Sequence, residues 1–139
     1  MTEALTGGCL CGVVRYAIEP PFDERPGWCH CSMCRRASGS PAVAWMTVPR
    51  VQFRVTAGEP VEYRSSEHAI RVFCGRCGSP ITFRSEEDPG DLDVTLGTLD
   101  DPERVVPKRH IWTESSPSWL RLDEHLPRFP QRSVSPSPE

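Results

Sequence analysis

Seven cysteines fall into three tight groups: Cys9 and Cys11, then Cys29, Cys31 and Cys34, then Cys74 and Cys77. Grouping of this kind is metal chemistry. Thiolates one or two residues apart reach a single ion from one turn of backbone. The number is odd, so pairing within one chain would leave a thiol over. Seven in 139 residues is about 5%, below the roughly 8–10% of a secreted disulfide scaffold.

Cys74-Gly75-Arg76-Cys77-Gly78 has the form of a zinc knuckle. Glycine beside the ligands lets backbone N–H groups turn toward sulfur. Its natural partner is Cys9-Leu10-Cys11-Gly12, preceded by Gly7-Gly8. Four thiolates would close a tetrahedral site and leave no position for water or substrate, so the site would be structural. One ion there would tie the first strand to the middle of the chain and supply on the order of 10 kcal/mol of folding free energy. A dithiol redox pair at Cys74 and Cys77 is the competing reading; no βαβ pattern surrounds it.

Cys29-His30-Cys31-Ser32-Met33-Cys34 is denser than a structural site needs. Three protein ligands with one exchangeable position is the catalytic zinc pattern. Arg35 and Arg36 follow at once, and their charge would stabilise thiolates or draw in an anionic substrate. His30 is either a fourth ligand, which would close this site too, or faces away. Grouping Cys9 and Cys11 with Cys29 and Cys31 is also open to spacing alone. Trp28 and Trp45 read first as core packing. Ser38-Gly39-Ser40-Pro41 either lines a pocket or connects to the next strand.

The elements that must position these groups are short. Fifteen prolines and ten glycines interrupt the chain. Strand-like runs are Val13 to Ile18, Ala42 to Val48, Val51 to Val55, Val61 to Arg64, Ala69 to Phe73, Ile81 to Arg84, Leu92 to Leu96 and Arg109 to Trp112. Some alternate apolar and polar residues, as half-buried antiparallel strands do. Helix is expected only after Cys31 through Ala37 and at Asp100-Asp101-Pro102-Glu103, where Asp precedes Pro. The reading is a mainly β fold with little helix: one domain over 1–129 and a disordered Ser/Pro-rich tail over 130–139.

A formal charge of -3 and a pI near 5.8 give no long-range attraction to nucleic acid or anionic lipid. No apolar run approaches the roughly 18 residues that span a bilayer. The first eight residues carry no basic stretch ahead of an apolar one, so no secretory signal is expected and the compartment is expected to be reducing cytoplasm.

The ordered blocks Cys9-Leu10-Cys11, Cys29-His30-Cys31-Ser32-Met33-Cys34-Arg35 and Cys74-Gly75-Arg76-Cys77-Gly78-Ser79-Pro80 resemble the glutathione-dependent formaldehyde-activating enzyme family, whose domain the centromere protein V proteins share. Ser38 to Pro41 through Ala44-Trp45, then His110-Ile111-Trp112, Trp119, Asp123 and Leu126-Pro127-Arg128-Phe129 fit it as well. The resemblance runs from about Gly8 to Pro130. It implies several small antiparallel sheets held by zinc, often called a β-tent. It implies a structural zinc on Cys9, Cys11, Cys74 and Cys77 and a second zinc on Cys29, Cys31 and Cys34, where the chemistry is expected. The implied reaction is reversible addition of glutathione to formaldehyde, giving S-hydroxymethylglutathione, classed as a carbon–sulfur lyase.

Glutathione carries two carboxylates, so cations should line its site. Arg35, Arg36, Arg50, Lys108 and Arg109 are the candidates. Two other functions fit the same residues: the same zinc chemistry on a different small thiol or electrophile, and a non-catalytic zinc module that docks a protein partner.

Overall fold

The computed structural model describes residues 3–22 and 25–133. Among these residues, ten short strands and one α-helix make a mainly β fold. The described chain divides into two compact units, one holding 3–22 and 46–105, the other 25–45 and 106–133.

In the first unit, β1 (Leu5–Gly8), β2 (Arg15–Ile18) and β5 (Phe53–Ala57) form an antiparallel sheet in the order β1-β2-β5. The apolar side chains Leu5, Tyr16 and Ile18 are almost wholly buried. The burial of Tyr16 is possible because its hydroxyl has a partner, Thr98 Oγ1 at 2.7 Å. Gly7 is the residue opposite Tyr16, and a Cβ there would overlap that hydroxyl. The glycine is what lets the ring lie across β1. The Arg15 guanidinium pairs with the Asp100 carboxylate, which also accepts from Thr6 Oγ1 at 2.7 Å.

The second set of strands in this unit is β6 (Val61–Arg64), β7 (Ala69–Phe73), β8 (Pro80–Ser85) and β9 (Asp91–Thr95), joined in antiparallel register. Alternation explains β7: Ile70 and Val72 are buried, while Arg71 between them is half-exposed and lies over the Phe83 ring at 4.9 Å. Two of the hairpins here carry the chemistry. The β1–β2 connection holds Cys9 and Cys11, and the β7–β8 connection holds Cys74 and Cys77.

In the second unit, β3 (Gly27–Cys29) pairs antiparallel with the start of β4 (Val43–Pro49), placing Cys29 opposite Val43. On its other side β3 pairs with β10 (His110–Ile111), and this pairing is parallel. Parallel neighbours need a long connection, and some eighty residues run between these two strands. Between β3 and β4 lies α1 (Ser32–Ser38). It ends on Gly39, whose φ of 77° is the left-handed helix stop that glycine adopts without strain.

The strands expected from the sequence are present with shifted ends. Val13 and Val14 fall in the loop ahead of β2, and Val51 falls in a 3-10 turn ahead of β5. The helix expected at Asp100 to Glu103 is only a 3-10 turn over Pro102–Arg104, where Asp101 Oδ1 accepts from the Glu103 N–H at 3.1 Å. Strands β1 and β3 were not among the expected runs. In Thr6-Gly7-Gly8 only Thr6 favours a strand and the two glycines weaken it, and Gly27-Trp28-Cys29 is too short to show a period. Part of the expected tail is described. Pro130 and Gln131 accept from the Glu114 and Trp112 N–H groups, and Ser133 Oγ accepts from Arg109. Residues 134–139 lie outside the described residues.

Gly58 closes the β5–β6 turn at φ +82°, and a Cβ there would sit 2.3 Å from the Val13 carbonyl oxygen. Gly58→Ala is expected to destabilise by more than about 1 kcal/mol. Urea unfolding measures it, and an unchanged midpoint would refute this account of the turn.

Candidate metal centres

The first centre is built from two hairpin tips. Cys9 Sγ lies 3.6 Å from Cys11 Sγ, and Cys11 Sγ lies 3.8 Å from Cys74 Sγ. With Cys77, all four sulfurs lie within 4.8 Å of one another. Zinc–sulfur bonds of about 2.3 Å in a tetrahedron put sulfurs about 3.8 Å apart, so the donor set and spacing fit that ion. Backbone N–H groups support the sulfurs: Val14 donates to Cys9 Sγ at 3.3 Å, and Arg76 and Cys77 donate to Cys74 Sγ at 3.3 and 3.4 Å. Glycine is required where the turns close, Gly12 at φ 84° and Gly78 at φ 83°.

Ser79 joins the two tips. Its hydroxyl accepts from the Leu10 N–H at 2.9 Å and lies 3.1 Å from Cys77 Sγ. That contact holds the Cys77 thiol down at about 5. Nothing in the sequence reading assigned Ser79 this work. Its place two residues after a ligand was the available signal.

The second centre is built from β3 and the first turn of α1. Cys29 ends the strand, Cys31 is the helix N-cap, and Cys34 lies in the first turn. Cys31 Sγ accepts from the Cys34 N–H at 3.2 Å, so capping the helix and aiming the sulfur are one act. Cys29 and Cys34 are buried and Cys31 is half-buried. Their three sulfurs lie within 4.8 Å of one another. Among the described residues, no fourth ligand completes the group, so the cluster could hold an ion with a position left open.

Without a cation the three sulfurs share their protons unevenly. Hydrogen bonds from the Cys29 and Cys34 thiols hold Cys31 down at about 2, and the same contacts push Cys29 far up. An ion would replace those protons, so binding is coupled to proton release.

The structure brings Cys9, Cys11, Cys74 and Cys77 together, and separately Cys29, Cys31 and Cys34. Neither group mixes the Cys9–Cys11 pair with the Cys29–Cys31 pair. His30 is in neither group. It is buried, and its Nε2 lies 2.8 Å from His110 Nδ1, while His110 Nε2 lies 2.9 Å from the Asp123 carbonyl oxygen. Burial, with His110 and Arg128 nearby, holds the His30 imidazole down at about 4. Trp28 points the same way: its indole N–H donates to the Asp123 carboxylate at 3.0 Å. Asp123 serves both from a left-handed backbone, φ 42°. The roles of His110 and Asp123 were not assigned from the sequence, which showed only their agreement with a family pattern.

The basic candidates divide by unit. Arg35 and Arg36 sit on α1 directly after Cys34; Arg35 Nη1 donates to the Ser115 carbonyl at 3.2 Å and Arg36 is exposed. Lys108 is exposed in the same unit, and Arg109 donates to Ser133 Oγ at 2.6 Å. Arg50 belongs to the other unit. No helix among the described residues is long and apolar enough to cross a membrane.

A family model described as glutathione-dependent formaldehyde-activating enzyme matches residues 4–115. A Halomonas elongata protein named putative glutathione-dependent formaldehyde-activating enzyme is 27% identical over 150 aligned positions, covering 94% of this chain and 92% of its own. A Schizosaccharomyces pombe protein named an uncharacterized lyase is 35% identical over 80 positions, 55% of each chain. A Rhodobacter sphaeroides protein of known crystal structure superposes with a TM-score of 0.60 at 26% identity, over 73% of this chain and 97% of that one.

Cobalt(II) titration of the metal-free protein is expected to show two equivalents bound through thiolate. Cys74→Ser should lose one equivalent and lower the thermal midpoint by at least about 10 °C, because it opens a closed site. Cys34→Ser should lose the other equivalent with a smaller drop. A native midpoint in metal-loaded Cys74→Ser would remove the structural role from the first centre.

Proposed function

The chain belongs to the glutathione-dependent formaldehyde-activating enzyme family, and on that footing we propose that it catalyses the reversible addition of glutathione, or a similar thiol, to formaldehyde at the Cys29–Cys31–Cys34 cluster. The product would be S-hydroxymethylglutathione. The observation that carries this reading is the three-sulfur cluster itself, which lacks a fourth ligand among the described residues. The Cys9, Cys11, Cys74 and Cys77 group would hold a second zinc with a purely structural task.

The reaction balances without an oxidant or reductant. A carbon–sulfur bond forms, the carbonyl π bond breaks, and the thiol proton ends on the former carbonyl oxygen. The reverse breaks the carbon–sulfur bond, which makes the enzyme a carbon–sulfur lyase. Zinc held by Cys29, Cys31 and Cys34 would supply Lewis acidity at neutral pH. The protein's own residues do the rest. Cys34, buried in the first turn of α1, and Cys29, at the end of β3, fix the cluster between two rigid elements. Arg35 and Arg36 would meet the carboxylates of glutathione, and Arg35 keeps donors beyond the one given to Ser115. None of the seven cysteines is in a disulfide, which suits a reducing cytoplasm, where glutathione is also plentiful as thiol.

Formaldehyde and thiols combine unaided, so the test is the excess over that background. Exchange between free glutathione with formaldehyde and their adduct, followed by NMR, is expected to run at least about tenfold faster with catalytic amounts of zinc-loaded protein. Cys34→Ser should return the rate to background while remaining folded. A wild-type rate equal to background would end this reading.

A further inference from the structure

Among the described residues, the strands that end the sheet orders are β1, β5, β10 and β6. The first three are guarded. Beside β1 runs the chain after β9: the Asp100 N–H donates to the Thr6 carbonyl at 2.9 Å, and Gly7 bridges Leu99. In β5 there is a bulge, since Arg15 faces Ala57 and Tyr16 faces Val55, leaving Thr56 as an extra residue. Strand β10 has only two residues, and His110 bridges Arg128. Strand β6 is different. Its four residues pair with β7 in unbroken register, and all four are exposed. A regular open edge is a template for another strand.

The register fixes which backbone groups of β6 are turned outward. The Ser65 N–H donates to the Ala69 carbonyl at 3.0 Å, and the Glu86 N–H donates to the His68 carbonyl at 2.7 Å. Odd residues of β7 therefore bond β6 and even ones bond β8. Val61 and Tyr63, opposite Phe73 and Arg71, direct their N–H and C=O groups to β7. Those of Glu62 and Arg64 face away from the sheet. Each of these two side chains has an ion pair of its own: Glu62 Oε1 with Arg84 Nη2 at 3.3 Å, and Arg64 Nη2 with Glu86 Oε2 at 2.9 Å.

We propose that β6 docks β6 of a second copy of this chain, antiparallel about a two-fold axis through Tyr63. Antiparallel pairing sets outward-facing residues against outward-facing ones, so the axis passes through a residue and not between two. An axis through Glu62 would oppose two glutamates, and one through Arg64 two arginines. One through Val61 would oppose Glu62 to Pro60, which has no N–H. One through Ser65 would oppose Arg64 to Ser66. The axis through Tyr63 opposes Glu62 to Arg64 of the second copy at both ends, with both backbone hydrogen bonds formed at each. Charges then alternate across the junction in the order Arg84, Glu62, Arg64, Glu86. The two Tyr63 rings, each 60% exposed in the single chain, meet as a close cross-strand aromatic pair. The contact is small, so the dimer is a weak one. It is independent of the reaction proposed above.

Sedimentation of the full zinc-loaded chain over about 10 µM to 1 mM, the range of a small interface, should show a monomer passing to a dimer. Glu62→Arg and Arg64→Glu should each weaken self-association by at least about tenfold, because like charges then meet across the junction. Mixed one to one, the two variants should associate again, since every opposed pair regains opposite signs. The repulsion each variant carries within its own chain is the same alone and mixed, so only the contact between copies can produce this rescue. A wild-type chain that stays monomeric overturns the proposal. A dimer that both variants leave intact overturns it too, and absent rescue overturns the Tyr63 register. Should a variant fail to fold, amide exchange in the wild-type chain decides. The Glu62 and Arg64 amides should slow in proportion to the dimer fraction as concentration rises, while those of Val61 and Tyr63, bonded to β7, stay slow throughout. Glu62 and Arg64 amides that ignore concentration would refute the pairing.

Discussion

Everything in the first unit depends on two hairpin tips reaching the same point. Sulfurs from Cys9, Cys11, Cys74 and Cys77 lie within 4.8 Å of one another. Four thiolates that close repel unless a cation lies among them. The hairpins that carry them belong to different sheets, β1–β2 to one and β7–β8 to the other. An ion held there would tie together four strands from two sheets, each only four to six residues long. Ser79 reinforces the junction by touching both tips, and Gly12 and Gly78 make the turns sterically possible.

The second unit applies the period of a strand to divide two kinds of chemistry. In extended chain, successive side chains point to opposite sides. Cys29 and Cys31 go to the sulfur cluster, while Trp28 and His30 go to Asp123 and His110. Four consecutive residues thus place two sulfurs of the cluster on one side and a hydrogen-bonded support on the other. The support is anchored by β10, whose His110 exchanges backbone hydrogen bonds with Pro127 and Phe129. Local geometry does double service at Cys31 as well, where one sulfur caps α1 and joins the cluster.

How much of this was legible before the structure differs by feature. The cysteine blocks and the helix after Cys31 stood out because their signals are local: a ligand spacing, and a short run through Ala37 ahead of the Ser38-Gly39-Ser40-Pro41 loop. Strands β6 and β7 also stood out, with Ile70 and Val72 alternating against Arg71. Strand β1 did not, because Thr6-Gly7-Gly8 has poor strand propensity and is recruited by pairing with β2 and by the space Tyr16 needs. Strand β3 is three residues long, too short for any period, and its parallel partner β10 comes from far along the chain.

The sequence by itself therefore determined the donor atoms: seven thiols, their spacing, and an odd number that rules out complete pairing. Covalent proximity decides such things, because residues one to three apart cannot be far from one another in any fold. Tertiary structure alone decided which distant pair joins Cys9 and Cys11, that His30 turns from the sulfurs to His110, and that Ser79 and the Asp123 carbonyl become supporting atoms. Those outcomes depend on contacts between residues far apart in sequence: Cys11 with Cys74 at 63 positions, Leu10 with Ser79 at 69 and His30 with His110 at 80. No local signal encodes a contact of that range, since it is set by strand register and by which buried polar atoms find partners.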